Sequence, residues 1–365
     1  MNKDSKIYVA GHRGLVGSAI VKTLKEKGYN NLLTRKHADL DLTNTKQVAS
    51  FFEDEKPEYV FLAAAKVGGI IANNVYRGEF IYENLMIQNN VVHQSYLNGV
   101  KKLMFLGSTC IYPKNCPQPM KEDYLLTDTL EYTNEPYAIA KIAGIKLCES
   151  YNIQYGTNFI SVMPTNLYGP NDNFDLERSH VLPALIRKIH LGKALENDEW
   201  NIISKDLDNL PIEGIDGKST KNEILKVFEK YGIKKTVDGT IAVEIWGTGK
   251  PMREFLWSED MADACVFLME HRDFSDVYRP TSKEIRNTHI NIGTGIDISI
   301  ADLSELIRNQ IGFKGKFEFN TSKPDGTLKK LTDVTKLNQL GWQHKISLEV
   351  GIKKQYEWYS KSYGH

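Results

Sequence analysis

Cysteine is scarce in this chain: four among 365 residues, Cys110, Cys116, Cys148 and Cys265, irregularly spaced and with no C-x-x-C pair. That spacing gives neither a disulfide framework nor a zinc site, so no metal is expected and a reducing, cytoplasmic setting fits. Net charge is absent as well, since Lys+Arg and Asp+Glu both number 46. With no global field, neither nucleic acid nor an anionic membrane is an expected partner, and any bound anion must be held by a local site. No apolar run approaches the ~18 residues of a membrane span, and the first six residues lead into a short strand without a signal-peptide core. Internal repeats and low-complexity tracts are also missing.

What is present is an alternation. Residues 6–10 form a short apolar run that stops at Gly11, after which Val16, Ile20 and Leu24 recur at helical spacing up to Gly28. Strands are expected at 31–34 and 59–65, the second nearly all apolar, as in a strand covered on both faces. A helix at about 79–98, a strand at 102–107, a helix at about 135–155 and a strand at 159–163 follow. Strands alternating with helices of this length predict an α/β fold, a doubly wound parallel Rossmann sheet with a smaller C-terminal substrate-binding lobe. Residues 1–170 are expected to form the dinucleotide-binding domain and 171–365 the lobe, with segments returning to the first domain. Within the lobe, about 196–239 is polar and reads as an inserted subdomain, where Thr220 and Glu223 fit a capping box ahead of Ile224, Leu225 and Phe228. Strand-like 241–246 and 289–292 and a helix at about 299–311 restore the rhythm.

Gly11, Gly14 and Gly17 form G-x-x-G-x-x-G between the first strand and first helix, where absent side chains let backbone N–H groups and the helix N-terminus approach a pyrophosphate. The end of the second strand lacks the acidic residue that would take a ribose 2′-hydroxyl. It offers Thr34-Arg35-Lys36-His37 instead, with Arg13 inside the glycine turn, and guanidinium groups suit a 2′-phosphate. NADP(H) is therefore expected over NAD(H).

Tyr137 and Lys141 stand four residues apart at the start of the 135–155 helix and so share one of its faces. A nearby ammonium is expected to lower the tyrosine pKa and make the phenol a proton donor to a developing alkoxide. Ser108 and Thr109 follow the 102–107 strand, at the carboxyl end of the sheet where doubly wound folds bind ligands. A hydroxyl there can hydrogen-bond a carbonyl oxygen that Tyr137 protonates, while Lys141 holds the nicotinamide ribose. Together these residues suit hydride transfer.

Six stretches carry a family resemblance: 11–17, A-A-A-K-V-G-G-I at 63–70, G-S-T-C-I-Y-P-K at 107–114, N-E-P-Y-A-I-A-K at 134–141, P-T-N-L-Y-G-P at 164–170 and P-M-R-E-F-L at 251–256. They resemble the extended short-chain dehydrogenase/reductases and, within these, the GDP-L-fucose synthase branch, which epimerises carbons 3 and 5 of a GDP-4-keto-6-deoxy sugar and reduces carbon 4. The resemblance implies catalytic roles for Ser108, Cys110, Tyr137, Lys141 and His180, with Cys110 and His180 as the acid and base of epimerisation. A thiolate and an imidazole both exchange protons near neutral pH. For the cofactor it implies Gly11, Arg13, Gly14, Leu15, Val16, Gly17, Arg35, Asp41, Leu42, Lys141 and Asn166. Lys188, Trp246, Arg253 and Lys330 are implied for the GDP-sugar, and a homodimer for the assembly.

The departure is residues 196–239, roughly 35 residues beyond the usual family length. The segment would cover the substrate or decorate the surface, and it leaves a GDP-4-keto-6-deoxyheptose 4-reductase, with or without epimerase activity, as an alternative. An epimerase or dehydratase with tightly bound NAD shares the fold. So does a dinucleotide-sensing binding protein, which would have no need of Tyr137, Lys141, Cys110 and His180 together.

Overall fold

The computed structural model describes residues 1–278, 284–323 and 325–364. The chain divides into two compact units, one comprising Met1–Leu167, Glu254–Ile296 and Leu331–Lys345, the other Tyr168–Arg253, Asp297–Lys330 and Ile346–His365.

Unit 1 is built on a six-stranded sheet ordered Ile290–Ile292, Phe159–Pro164, Lys102–Leu106, Tyr59–Leu62, Ile7–Ala10, Leu32–Leu33. Every adjacent pair is parallel. Side chains alternate between two apolar layers: Ile7, Val9, Phe61, Met104, Leu106, Ile160 and Val162 on one face, and Tyr8, Ala10, Val60, Leu62, Leu103, Phe105 and Phe159 on the other. Because both faces are covered, the strands read as continuous apolar runs rather than as alternation. Helices Leu15–Glu26 and Ser258–His271 pack together beside the first layer, and helices Thr45–Glu55, Arg77–Leu97 and Glu135–Tyr155 cover the second.

From Ile7–Ala10 the chain runs outward to Leu32–Leu33, then returns to Tyr59–Leu62 on the other side. That reversal opens a crevice at the carboxyl ends of Ile7–Ala10 and Tyr59–Leu62, where ligands of open α/β sheets bind.

Unit 2 holds a three-stranded sheet ordered Lys316–Asn320, Ile241–Trp246, Ile233–Lys235. The region expected as an insertion contributes its edge strand, Ile233–Lys235, and two helices, Trp200–Asn209 and Lys221–Lys230. The second begins with the expected capping box between Thr220 and Glu223. Ile203, Leu207, Ile224 and Phe228 are fully or almost fully buried. These 196–239 side chains are thus part of the unit's own core and not a loose appendage. Among the described residues, no helix is long and apolar enough to cross a membrane.

Candidate active site

The glycine turn leaves Ile7–Ala10 at Gly11, whose φ of +81° favours glycine, and a Cβ there would lie 2.8 Å from the Ala64 nitrogen. A Cβ at Gly17 would run into the Gly11 carbonyl, which fixes the close packing of helix on strand. At Gly14 the situation is the opposite. The nearest atom to a Cβ is the Gly11 oxygen at 3.7 Å, an ordinary contact, so this position is not crowded. Gly14 also N-caps the helix Leu15–Glu26 without a side-chain hydrogen bond, leaving the first N–H groups to an approaching anion. Leu15 and Val16 form the first helical turn. The turn therefore fits a dinucleotide pyrophosphate.

The basic groups beside the turn are unequal. Arg35 is committed to an ion pair with Glu55, to its neighbour's carbonyl, Thr34 O, at 2.9 Å, and to the Phe51 ring at 5.5 Å. Arg13 and Lys36 are exposed and both act on His12, whose pKa is lowered first by burial and then by these two cations. His12 Nδ1 is buried without a hydrogen-bond partner. Arg13 and Lys36, beside a neutral His12, thus form a local positive pair suited to a 2′-phosphate. Asp41 accepts from Thr43 N at 2.9 Å and Thr43 Oγ1 at 2.8 Å, bonds that hold its pKa down. Leu42 is buried, its carbonyl accepting from Asn90 Nδ2 at 2.9 Å. The double variant Arg13→Ala/Lys36→Ala is expected to raise the KM for NADPH at least about tenfold, because charge-assisted phosphate contacts are worth ~1.5–3 kcal/mol each, while barely moving that for NADH. Equal effects on the two cofactors would remove the pair from this role.

At the carboxyl end of Lys102–Leu106, Ser108 caps a short turn by accepting from Cys110 N at 3.4 Å. Lys141 donates from Nζ to Leu106 O at 2.8 Å, beside the Phe105 ring at 4.9 Å and 5.7 Å from the centroid of Tyr137. Cys110 acts electrostatically on both Tyr137 and Lys141. The sequence-predicted Ser108, Cys110, Tyr137 and Lys141 are therefore brought together. The expected lowering of the Tyr137 pKa is corrected: burial, then the Cys110 charge, hold the phenol above its ordinary value. Desolvation dominates because the pair is buried and Lys141, its own pKa lowered by burial to about 8, has lost its charge before the phenol would ionise. Burial also brings Lys141 down to about 8. Tyr137 consequently stays protonated at neutral pH, the form a proton donor needs.

Asn166 donates from Nδ2 to Glu254 O at 2.8 Å. The Glu254 carboxylate is fully buried and gathers Thr294 N at 2.6 Å, Gly295 N at 2.7 Å, Thr332 N at 2.9 Å and Thr332 Oγ1 at 2.7 Å. The resemblance did not single out this anchor.

In unit 2, His180 occupies the N-cap position of the helix Val181–Glu196 without a side-chain cap hydrogen bond and is exposed. A neutral imidazole at pH 7 is competent as a base. The adjacent Ser179 Oγ is buried and unpartnered, a candidate the sequence reading missed. Lys188 Nζ donates to Glu244 O at 2.5 Å, and burial lowers its pKa to about 8. Two residues on, Trp246 ends the strand with its ring exposed and Lys323 Nζ 5.3 Å from its centroid. Strand register sets Lys330 beside Arg253, whose Nη1 donates to Met252 O at 2.7 Å and Thr327 O at 2.6 Å. Two neighbouring cations suit a diphosphate.

The model of the NAD dependent epimerase/dehydratase family matches residues 7–209 and 217–293. GDP-L-fucose synthase 1 of Arabidopsis thaliana is 50% identical over 361 residues, covering 99% of this chain and 95% of its own. GDP-L-fucose synthase of Escherichia coli K12 is 47% identical, with 97% and 96% covered. Among solved structures, a GDP-6-OMe-4-keto-L-xylo-heptose reductase from C. jejuni is 49% identical with a TM-score of 0.90, covering 99% of both chains. Fold, glycine turn and full-length identity agree, and the chain belongs to the NAD dependent epimerase/dehydratase family.

Proposed function

We propose that the protein is an NADPH-dependent 3,5-epimerase/4-reductase acting on a GDP-4-keto-6-deoxy sugar, with GDP-4-keto-6-deoxy-D-mannose converted to GDP-L-fucose. The observation that carries this reading is the convergence of Ser108, Cys110, Tyr137 and Lys141 at the end of one strand, in a chain whose full-length relatives at 47–50% identity are GDP-L-fucose synthases.

A 4-keto group acidifies the hydrogens on carbons 3 and 5. Cys110 and His180 exchange those protons, one as base and the other as acid, and both centres invert. NADPH, when bound, supplies the hydride that reduces carbon 4. Ser108 hydrogen-bonds the carbon 4 oxygen, and Tyr137 donates its proton to the alkoxide formed there. Lys141, whose ammonium meets the Leu106 carbonyl, would hold the nicotinamide ribose. Arg253 and Lys330 neutralise the diphosphate, and Trp246 offers an exposed ring to the nucleotide sugar.

One observation favours a heptose as the second reading. Among solved structures, the C. jejuni heptose reductase matches this chain with a TM-score of 0.90 at 49% identity, against 0.74 at 27% identity for a GDP-L-fucose synthetase of Naegleria fowleri. Comparing kcat/KM for GDP-4-keto-6-deoxymannose with that for the 4-keto-6-deoxyheptose nucleotide separates the two. The mannose derivative is expected to be preferred, and a preference for the heptose by tenfold or more, about 1.4 kcal/mol, would transfer the assignment.

For the assembly, a homodimer joined through helices Arg77–Leu97 and Glu135–Tyr155 accounts for the exposure of Tyr82, Leu97, Ile139, Ile153 and Tyr155 on those two elements. Sedimentation should give twice the 41.5 kDa chain mass, and a monomer at micromolar concentration would reject it.

A further inference from the structure

The C-terminal helix Leu348–Tyr359 meets the segment leading to His180 through three residues. Gly351 lies against Tyr168 so closely that a Cβ there would run into the phenol oxygen. Gln355 donates from Nε2 to Asp172 Oδ2 at 3.3 Å, and Tyr359 sets its ring 4.6 Å from that of Phe174. Positions 351, 355 and 359 are i, i+4 and i+8, a single helix face, and they meet 168, 172 and 174 in order.

A second clamp closes on the same segment. The Phe174 carbonyl accepts from Arg187 Nη1 at 3.2 Å, and Arg187 lies two turns into the helix that His180 caps. Residues 174–187 are therefore tied at both ends. Within and just before this stretch, Asn173 Oδ1 accepts from Asp175 N at 3.0 Å, Asp175 Oδ1 accepts from Glu177 N at 2.8 Å and Arg178 N at 3.2 Å, and Asp175 O accepts from Ser179 N at 2.8 Å. Little backbone freedom is left between Phe174 and His180.

Arg187 is itself oriented by Asp206, through Nε at 3.0 Å and Nη2 at 2.8 Å, with the two side chains 1% and 0% exposed. The Tyr359 hydroxyl donates to the other Asp206 oxygen. Asp206 belongs to Trp200–Asn209, within the segment that sequence reading sets apart as an insertion. A buried ion pair is a poor source of net stability, but it fixes one geometry.

We infer that Tyr359 and Asp206, acting through Arg187, are positioning residues for His180, so that residues from the additional segment and the C-terminal helix set the epimerisation half of the reaction. The inference rests on the reading of His180 as an epimerisation acid or base.

Tyr359→Phe removes one hydroxyl and keeps the ring against Phe174. Deuterium incorporation from solvent into GDP-4-keto-6-deoxymannose, measured without NADPH, is expected to fall roughly tenfold, since misplacing a reacting group by ~1 Å costs up to about 10²-fold. Reduction of a 4-keto sugar supplied already epimerised should change less than about twofold. In a His180→Asn background, Tyr359→Phe should have no added effect on exchange. Gln355→Leu, which deletes only the Asp172 contact, should shift exchange in the same direction by about threefold and serves if Tyr359→Phe does not fold. Exchange and reduction falling together, or exchange unchanged in these variants while His180→Asn abolishes it, overturns the positioning role. Full exchange in His180→Asn overturns the reading of His180 itself.

Discussion

Tyr137→Phe is expected to slow reduction by roughly 10²–10⁴-fold while leaving solvent exchange at carbons 3 and 5 in place, because a positioned proton donor contributes about that much. The phenol is held protonated by burial and by the Cys110 charge, so at pH 7 it has a proton to give. Phenylalanine keeps the ring, including its edge contact with Phe80 at 6.4 Å, and removes only that proton. Exchange survives because it is assigned to Cys110 and His180, and equal loss of both activities would merge the two halves of the proposed site.

The pH dependence follows from Lys141. Its pKa lies below the lysine norm, at about 8, so the ammonium is present below that pH and lost as pH rises through it. Reduction by the wild-type enzyme is expected to fall on the alkaline side of about 8. In Lys141→Arg, where the cation does not titrate, that limb should disappear. A limb persisting in the arginine variant belongs to another group.

Glu254→Ala is the second large effect, on stability and not on chemistry. The carboxylate is buried and accepts from two Thr332 groups and from the Thr294 and Gly295 amides. Alanine leaves the two Thr332 donors buried and unpaired, at about 1–3 kcal/mol each, and takes the acceptor from the part-buried Thr294 and Gly295 amides. A total of at least about 3 kcal/mol corresponds to a fall of roughly 4 °C or more in the thermal unfolding midpoint for a chain of this size. Glu254→Gln retains one acceptor oxygen and should fall between alanine and wild type. An unchanged midpoint in the alanine variant would show that these loops are not held by the carboxylate.

Much of the reductive half could be read from the chain because its parts are local. The glycine turn lies between adjacent elements, and Tyr137 and Lys141 are one helical turn apart, so spacing alone places them. The sheet was legible because strands covered on both faces leave continuous apolar runs. Helix Ser258–His271 gave no such signal. Met261, Ala262, Ala264, Cys265, Val266, Leu268 and Met269 are all buried, and Glu259, Asp263 and Glu270 mark only a thin polar stripe. The convergence of Arg13 and Lys36 on His12, in place of Arg35, depends on Glu55 pairing with Arg35 twenty residues away. Asp206 and Tyr359 meet across a separation of 153 residues, which no local pattern records. The fall of the Lys141 pKa and the rise of the Tyr137 pKa depend on desolvation, which is a property of the packed interior and not of the four-residue spacing.

On this reading one protein both epimerises and reduces. Incubation with GDP-4-keto-6-deoxymannose and NADPH in deuterium oxide, following absorbance and the isotope at carbons 3 and 5, reads out both halves in one product. The predicted result is one NADPH oxidised per product, with deuterium at both carbons of a GDP-L-fucose product. NADPH oxidation giving a product without deuterium at either carbon, or exchange with no oxidation of NADPH, would contradict it.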